Sequence, residues 1–105
     1  MRLPCMVKFR FPVDDGNELI ESGRIAEVFQ QLAEDLKPEA AYFYGEGGER
    51  AGHFIVNITD GAEVAGVAER FFFGLHADVE MTPVMTVEDL QKALGGMKAV
   101  IDRYA

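Results

Sequence analysis

Two stretches of this chain repeat one apolar spacing, and that repeat restricts the possible folds more than anything else in the sequence. Ile25, Val28, Phe29, Leu32 and Leu36 fall at i, i+3, i+4, i+7 and i+11. Val64, Val67, Ala68, Phe71 and Leu75 fall at the same intervals. Such spacing lays an apolar stripe along one side of a helix. Each stretch is flanked by segments that alternate apolar and polar residues, the period of a strand with one buried face. The clearest of these is Met6-Val7-Lys8-Phe9-Arg10-Phe11, in which Val7, Phe9 and Phe11 share one face and Lys8 and Arg10 the other.

The remaining punctuation places the elements. A first strand is expected over about 5–11, followed by a turn over Pro12–Gly16. A helix over about 18–36 follows, with Asn17 as its N-cap, and Pro38 bars its continuation. Strands over 40–44 and 53–59 are joined by the glycine-rich Gly45–Gly52 connection as a hairpin. Asp60 caps a second helix over about 61–73, and a fourth strand covers 77–83. Thr86 opens a third helical segment, with Asp89 three residues on in a capping-box arrangement. The order β-α-β-β-α-β with a C-terminal helix is that of an α+β, ferredoxin-like antiparallel sheet. Right-handed crossovers put both helices on one face, the first and third strands in the centre and the second and fourth at the edges, where Pro83 is tolerated.

One face of that sheet is then core, built from Val7, Phe9, Phe11, Phe54, Val56 and Ile58. The other carries Met6, Lys8, Arg10, His53, Ile55, Asn57 and Thr59. Tyr42 and Tyr44 join it if Phe43 points to the helices, as do Asp78, Glu80 and Thr82 if Val79 and Met81 point inward. A face that mixes cations, an imidazole, phenols and apolar residues suits a covered surface better than a solvated one. We expect a homodimer in which Lys8 and Arg10 line a polar cavity between two sheets. An unpaired buried cation costs several kcal/mol, and Glu80 and Asp78 are the expected counter-ions. The alternative role for the two cations is a grip on a carboxylated ligand.

With 105 residues the chain is one domain, 1–105, with a helical extension over about 86–105. The formal charge of −8 argues against nucleic acid and against an anionic membrane as partners. Arg50 to Ile58 faintly echoes the central-strand motif of RNA-recognition domains. The open face there carries His53, Ile55 and Asn57 in place of stacking aromatics. No apolar run reaches the ~20 residues of a membrane span. Cys5 is the only cysteine, so no internal disulfide forms, and a reducing, cytoplasmic setting is expected. Its parity places it in the core as an inert thiol.

The strand and turn Ala77-Asp-Val-Glu-Met-Thr-Pro-Val-Met-Thr-Val-Glu-Asp-Leu90, together with the element order, resembles the dimeric α/β-barrel superfamily. That superfamily includes small monooxygenases and muconolactone isomerase-like proteins. The resemblance implies dimerisation and a cavity holding a small organic molecule, with cofactor-independent oxygenation or isomerisation as candidate reactions. It also covers non-catalytic ligand-binding and interaction modules. The small monooxygenases use an Asn, a Trp and a His; this chain has no Trp, and that pattern is not carried over.

Among individual residues, His53 is the candidate general acid or base. Lys8, Arg10, Tyr42, Tyr44, Asn57 and Glu80 are the candidate ligand contacts. Asn57, four strand residues from His53, lies roughly 13 Å away at the far end of a ligand. No cofactor is expected: Gly45-Glu-Gly-Gly48 lacks the lysine and helix of a phosphate loop, and His76 and Glu80 straddle a helix end rather than sharing a face. Asp14, Asp15 and Asn17 do not have the ligand spacing of a calcium loop. Met81, Met85 and Phe71-Phe72-Phe73 are expected to pack in the core, except that Phe72 and Phe73 cannot both face it fully, so one of them is expected to meet a partner or the cavity. Val87, Leu90, Leu94, Met97, Ile101 and Tyr104 follow a 3-4 spacing broken at Gly95-Gly96. That segment is expected to break or bend there and to pack on the first or second helix, or on a partner.

Overall fold

The structure, a computed structural model, describes residues 2–105. It is α+β, with one open four-stranded antiparallel sheet and five helices. In chain order these are β1 (Leu3–Phe11), α1 (Val13–Glu21), α2 (Arg24–Leu36), β2 (Ala40–Glu46), β3 (Glu49–Ile58), α3 (Glu63–Leu75), β4 (Asp78–Pro83), α4 (Val87–Gly95) and α5 (Met97–Tyr104). The strand order is β2-β3-β1-β4. β1 and β3 are therefore central, and Pro83 sits on an edge strand.

The alternation in β1 and β3 sorts their side chains as expected. Cys5, Val7, Phe9, Phe11, Phe54, Val56 and Ile58 are buried, and they pack against Val28 and Leu32 of α2 and Val67, Phe71 and Leu75 of α3. Phe9 is the hub, with its ring centroid 5.0 Å from that of Phe71, 5.7 Å from Phe54 and 5.9 Å from Phe29. Phe43 points the same way, 6.3 Å from Phe9 and 5.1 Å from Phe29, though on the edge strand it is still more than half exposed. Val79 and Met81 pack against this core, which leaves Asp78, Glu80 and Thr82 on the opposite face.

Four local expectations are corrected. The expected single helix over 18–36 is two helices, and it begins earlier. Pro12 precedes α1, the residues expected as a turn form its first coil, and Gly23 at φ 75° separates α1 from α2. A left-handed residue cannot continue a right-handed helix, and glycine takes that conformation without a Cβ clash. Asn17 is consequently not an N-cap. It lies inside α1, and its Oδ1 accepts from Arg50 Nη2 at 3.0 Å. The Gly45–Gly52 connection contracts to two residues, Gly47 and Gly48 at φ 59° and 81°, with Glu46 and Glu49 paired across the turn. Positive φ at both central positions is what a tight two-residue hairpin needs. Asp60 stands a residue pair ahead of α3, where its Oδ1 accepts from Ala62 N–H at 2.9 Å.

The core-packing reading of the aromatic and methionine run holds for Phe71, which is fully buried, and for the partly buried Met81. Phe72, Phe73 and Met85 are exposed, Phe73 to 81%. Three consecutive residues on a helix span about 200°, so one apolar stripe takes only one of the three rings.

The C-terminal segment is the other departure. The capping box forms as expected, with Asp89 N–H donating to Thr86 Oγ1 and Thr86 N–H to Asp89 Oδ2, both at 3.1 Å. The helical ladder breaks at Gly96, between α4 and α5. Neither helix has a buried residue or packs on α1, α2 or α3. The radius of gyration is 17.0 Å, against about 13 Å for a compact chain of this length.

Candidate functional site

The open sheet face gathers most of the polar residues singled out from the sequence, because parity and register act together. The pairing Tyr42↔His53↔Lys8↔Glu80 runs in one row across all four strands. Residues directly opposite on neighbouring strands share a face. The row therefore brings a phenol, an imidazole, an ammonium and a carboxylate side by side. Arg10, Ala51 and Tyr44 form the next row toward the hairpin tip, with Asp78 on β4.

His53 lies between the two tyrosines. Its ring centroid is 5.4 Å from that of Tyr42 and 5.6 Å from Tyr44. Tyr44 Oη and His53 Nδ1 are 3.0 Å apart. That hydrogen bond engages one ring nitrogen and leaves Nε2 for another partner. With the tyrosine donating, Nε2 carries the proton and His53 presents a donor; with the tyrosine accepting, Nε2 is a base.

The cations have partners other than the expected ones. Lys8 Nζ donates to Glu46 Oε1 at 2.8 Å, and Arg10 Nε pairs with Glu49 Oε1 at 3.0 Å. Glu80 and Asp78, the anticipated counter-ions, lie across from Lys8 and Arg10 on β4 and make neither pair. The tight turn accounts for the difference, since it extends both hairpin strands and brings Glu46 and Glu49 over β1. A Cβ on Gly47 would sit 3.0 Å from Arg10 Nη1, so the turn closes directly on the guanidinium. A cleft of about 550 Å³ opens beside these pairs, lined by Lys8, Arg10, Glu46, Gly47, Asp78 and Glu80 among others.

The hydrogen bond with Lys8 holds the Glu46 carboxyl below its ordinary value, and the same bond holds the Lys8 ammonium above its own. A carboxylate with a lowered folded-state pKa contributes stability above its unfolded value, and that contribution is lost as pH falls through the folded value. An ammonium with a raised pKa contributes fully below its unfolded value and loses that contribution as pH rises through the folded one. Lys8→Met is therefore expected to lower the melting temperature by a constant amount through the neutral range. The difference from wild type should shrink at acid pH below the carboxylate range, and again at strongly alkaline pH. Thermal melts of both proteins across pH check this; a difference independent of pH at both ends contradicts it.

Asn57 sits apart from this group. Its Oδ1 accepts from Arg2 Nε at 2.8 Å, its Nδ2 donates to Glu39 Oε1 at 2.8 Å, and Arg2 closes the triangle with Glu39. The side-chain amide is engaged within the chain, at the end of the sheet opposite the hairpin tip.

Arg50 is a residue that the sequence did not single out. It bridges β3 to α1 through Val13 O at 3.3 Å and Asn17 Oδ1 at 3.0 Å. Gly16 makes room for it, since a Cβ there would lie 2.5 Å from Arg50 Nη1. His76 caps α3 at φ 53°, with Nδ1 3.5 Å from Asp15 Oδ1, far from any role with Glu80. Cys5 is buried, and that burial holds its thiol above the ordinary value, the state of an unreactive core cysteine. No helix among the described residues is long and apolar enough to cross a membrane.

Comparisons of the chain with protein families, with curated proteins and with solved structures find no match. The class that the fold and the site define is accordingly the structural one: an α+β domain with one helix-covered sheet face and one open face carrying a Tyr-His-Tyr cluster beside ion-paired cations.

Proposed function

We propose that the chain is a ferredoxin-like unit that pairs with a second copy through its open sheet face, closing a dimeric α/β barrel around a small aromatic molecule. The Tyr42-His53-Tyr44 cluster carries this reading. It sets two phenol rings about one imidazole, tilted to it by 47° and 57°, on an uncovered face, with Tyr42 still 59% exposed. Aromatic walls with a single convergent polar group suit an aromatic ligand. A carboxylated ligand is less well served, because Lys8 and Arg10 already have carboxylates of this chain and Asp78 and Glu80 add further negative charge. Lys8, Arg10 and Glu80 then shape the rim of the cavity. Asn57 contributes to the sheet end through Arg2 and Glu39.

Within that cavity, His53 Nε2 is the group that moves a proton to or from the ligand, and the Tyr44 hydrogen bond orients the ring. Isomerisation or cofactor-independent oxygenation of an acidic aromatic substrate begins with such a proton removal. The second reading is a non-catalytic dimeric binding module. One observation favours it: the hydrogen-bond partner of the imidazole is a phenol, and among the described residues no carboxylate pairs with the ring to stabilise an imidazolium.

Native mass spectrometry of the purified protein tests the first part. A dimer carrying extra mass is the expected result and supplies the ligand for identification. A clean monomer overturns the barrel. With a ligand in hand, His53→Ala and Tyr44→Phe separate the two readings. The catalytic one expects turnover to fall by about 10²-fold or more in His53→Ala with little change in affinity. The binding-module reading expects affinity alone to change.

A further inference from the structure

Residues 87–104 form an arm that the rest of the chain leaves uncovered. Val87, Leu90, Leu94, Met97, Ile101 and Tyr104 repeat every three and four residues, the spacing of a narrow apolar seam. All six are exposed, Val87 to 72% and Tyr104 to 79%. An arm of this length, interrupted at Gly96, is marginal as an isolated helix in water, since most helical stability in proteins comes from packing an apolar face. The capping box at Thr86 and Asp89 fixes its start, and it leads away from α1, α2 and α3. The surplus in radius of gyration over a compact chain measures that departure.

Charge and area together indicate what covers the seam. Within residues 86–105, Lys92, Lys98 and Arg103 balance Glu88, Asp89 and Asp102. The whole net charge of −8 therefore lies in residues 1–85. Two such bodies repel each other, whereas a neutral arm approaches an acidic body without that penalty. The six seam side chains, with Val100 beside them, expose on the order of 700 Å² of surface per arm, close to the ~800 Å² that each partner of a standard stable interface buries. A two-fold exchange counts the arm twice, so a pair of copies reaches the standard size from the arms alone. The body also offers apolar surface to receive it, in Phe72 and Phe73 on the outer side of α3.

We propose that residues 87–104 are a dimerisation arm whose apolar seam seats on a second copy of this chain, each copy reaching across to the other. The inference goes beyond the sheet-face reading and does not require the two open faces to meet.

Sedimentation equilibrium on the full chain tests it. Wild type is expected to be a dimer at micromolar concentration. The double variant Leu94→Asp with Ile101→Asp, which alters no buried residue, is expected to raise the dimer dissociation constant at least a hundredfold, with the melting transition of the body retained. Ala99→Asp, on the opposite side of the arm, is expected to leave that constant within about threefold. Wild-type monomer throughout, or an unchanged constant in the double variant, overturns the arm. Ile55→Asp on the open sheet face separates the two interfaces. If it alone dissociates the dimer, the arm falls and the sheet-face reading stands. If only the arm variant dissociates it, the arm stands and the barrel falls.

Discussion

Phe9→Ala is expected to lower the unfolding free energy by about 3–5 kcal/mol, a large share of the ~5–15 kcal/mol that holds a domain of this kind together. Phe9 is 1% exposed in the C-terminal half of a central strand. Its ring stacks on Phe71 and meets Phe11, Phe29, Phe43 and Phe54. Removing it opens a cavity walled by rings on both the sheet and the helices. These rings are held by separate elements, so they cannot all move inward to fill the space. Urea denaturation of the purified variant measures the loss. Phe73→Ala provides the contrast: the same truncation at an 81% exposed ring is expected to change monomer stability by no more than about 0.5 kcal/mol. Equal losses at the two positions would contradict the layered core.

Gly52→Ala is expected to cost about 3 kcal/mol or more, from the addition of a single methyl group. A Cβ at this position would lie 2.5 Å from Tyr42 O and 2.7 Å from Phe9 Cζ. The first is backbone of the neighbouring strand and the second a ring locked in the core, so neither has a free end to swing aside. Gly52 stands opposite both Phe9 and Phe43 on the helix side of β3, and its missing side chain is the space that the Phe9 ring occupies. Relief requires β2 to shift, which also draws Tyr42 and Tyr44 away from His53. The variant should therefore lose the Tyr44–His53 hydrogen bond together with stability. Gly45→Ala, whose Cβ would meet nothing closer than Glu49 O at 3.9 Å, is the control on the same hairpin. A Gly52→Ala protein as stable as the Gly45→Ala protein would show that β2 packs more loosely on β3 than described.

The open-face cluster was legible where strict alternation holds. Lys8, Arg10 and His53 lie on the face opposite Val7, Phe9 and Phe54 because a strand period of two leaves no choice once one set is buried. Tyr42 and Tyr44 follow from Phe43 by the same rule. The ion partners were not legible. Assigning Lys8 and Arg10 to Glu80 and Asp78 used strand adjacency alone, and adjacency is real: the residues do face each other in the register. The hairpin tip nevertheless brings Glu46 and Glu49 closer. That outcome turns on two glycines adopting positive φ, which shortens an apparent eight-residue connection to two. Asn57 shows the same limit. Its face was predictable, but its engagement by Arg2 and Glu39 joins three segments that are distant in the chain.

What the sequence determined by itself was periodicity: the order of the strands and of the apolar-striped helices, which residues of β1 and β3 enter the core, and that the helical ladder breaks at Gly96. Periodicity sets the direction of a side chain relative to its own element, and burial of the apolar side then orients the element. Only the tertiary structure decided the division of α1 from α2, the counter-ions of Lys8 and Arg10, and the path of residues 87–104. Each of these depends on where two separate elements meet in space, or fail to meet. The seam on the C-terminal arm was visible as an apolar repeat, but that it stands clear of α1, α2 and α3 appears only once the body is folded and its core is already filled.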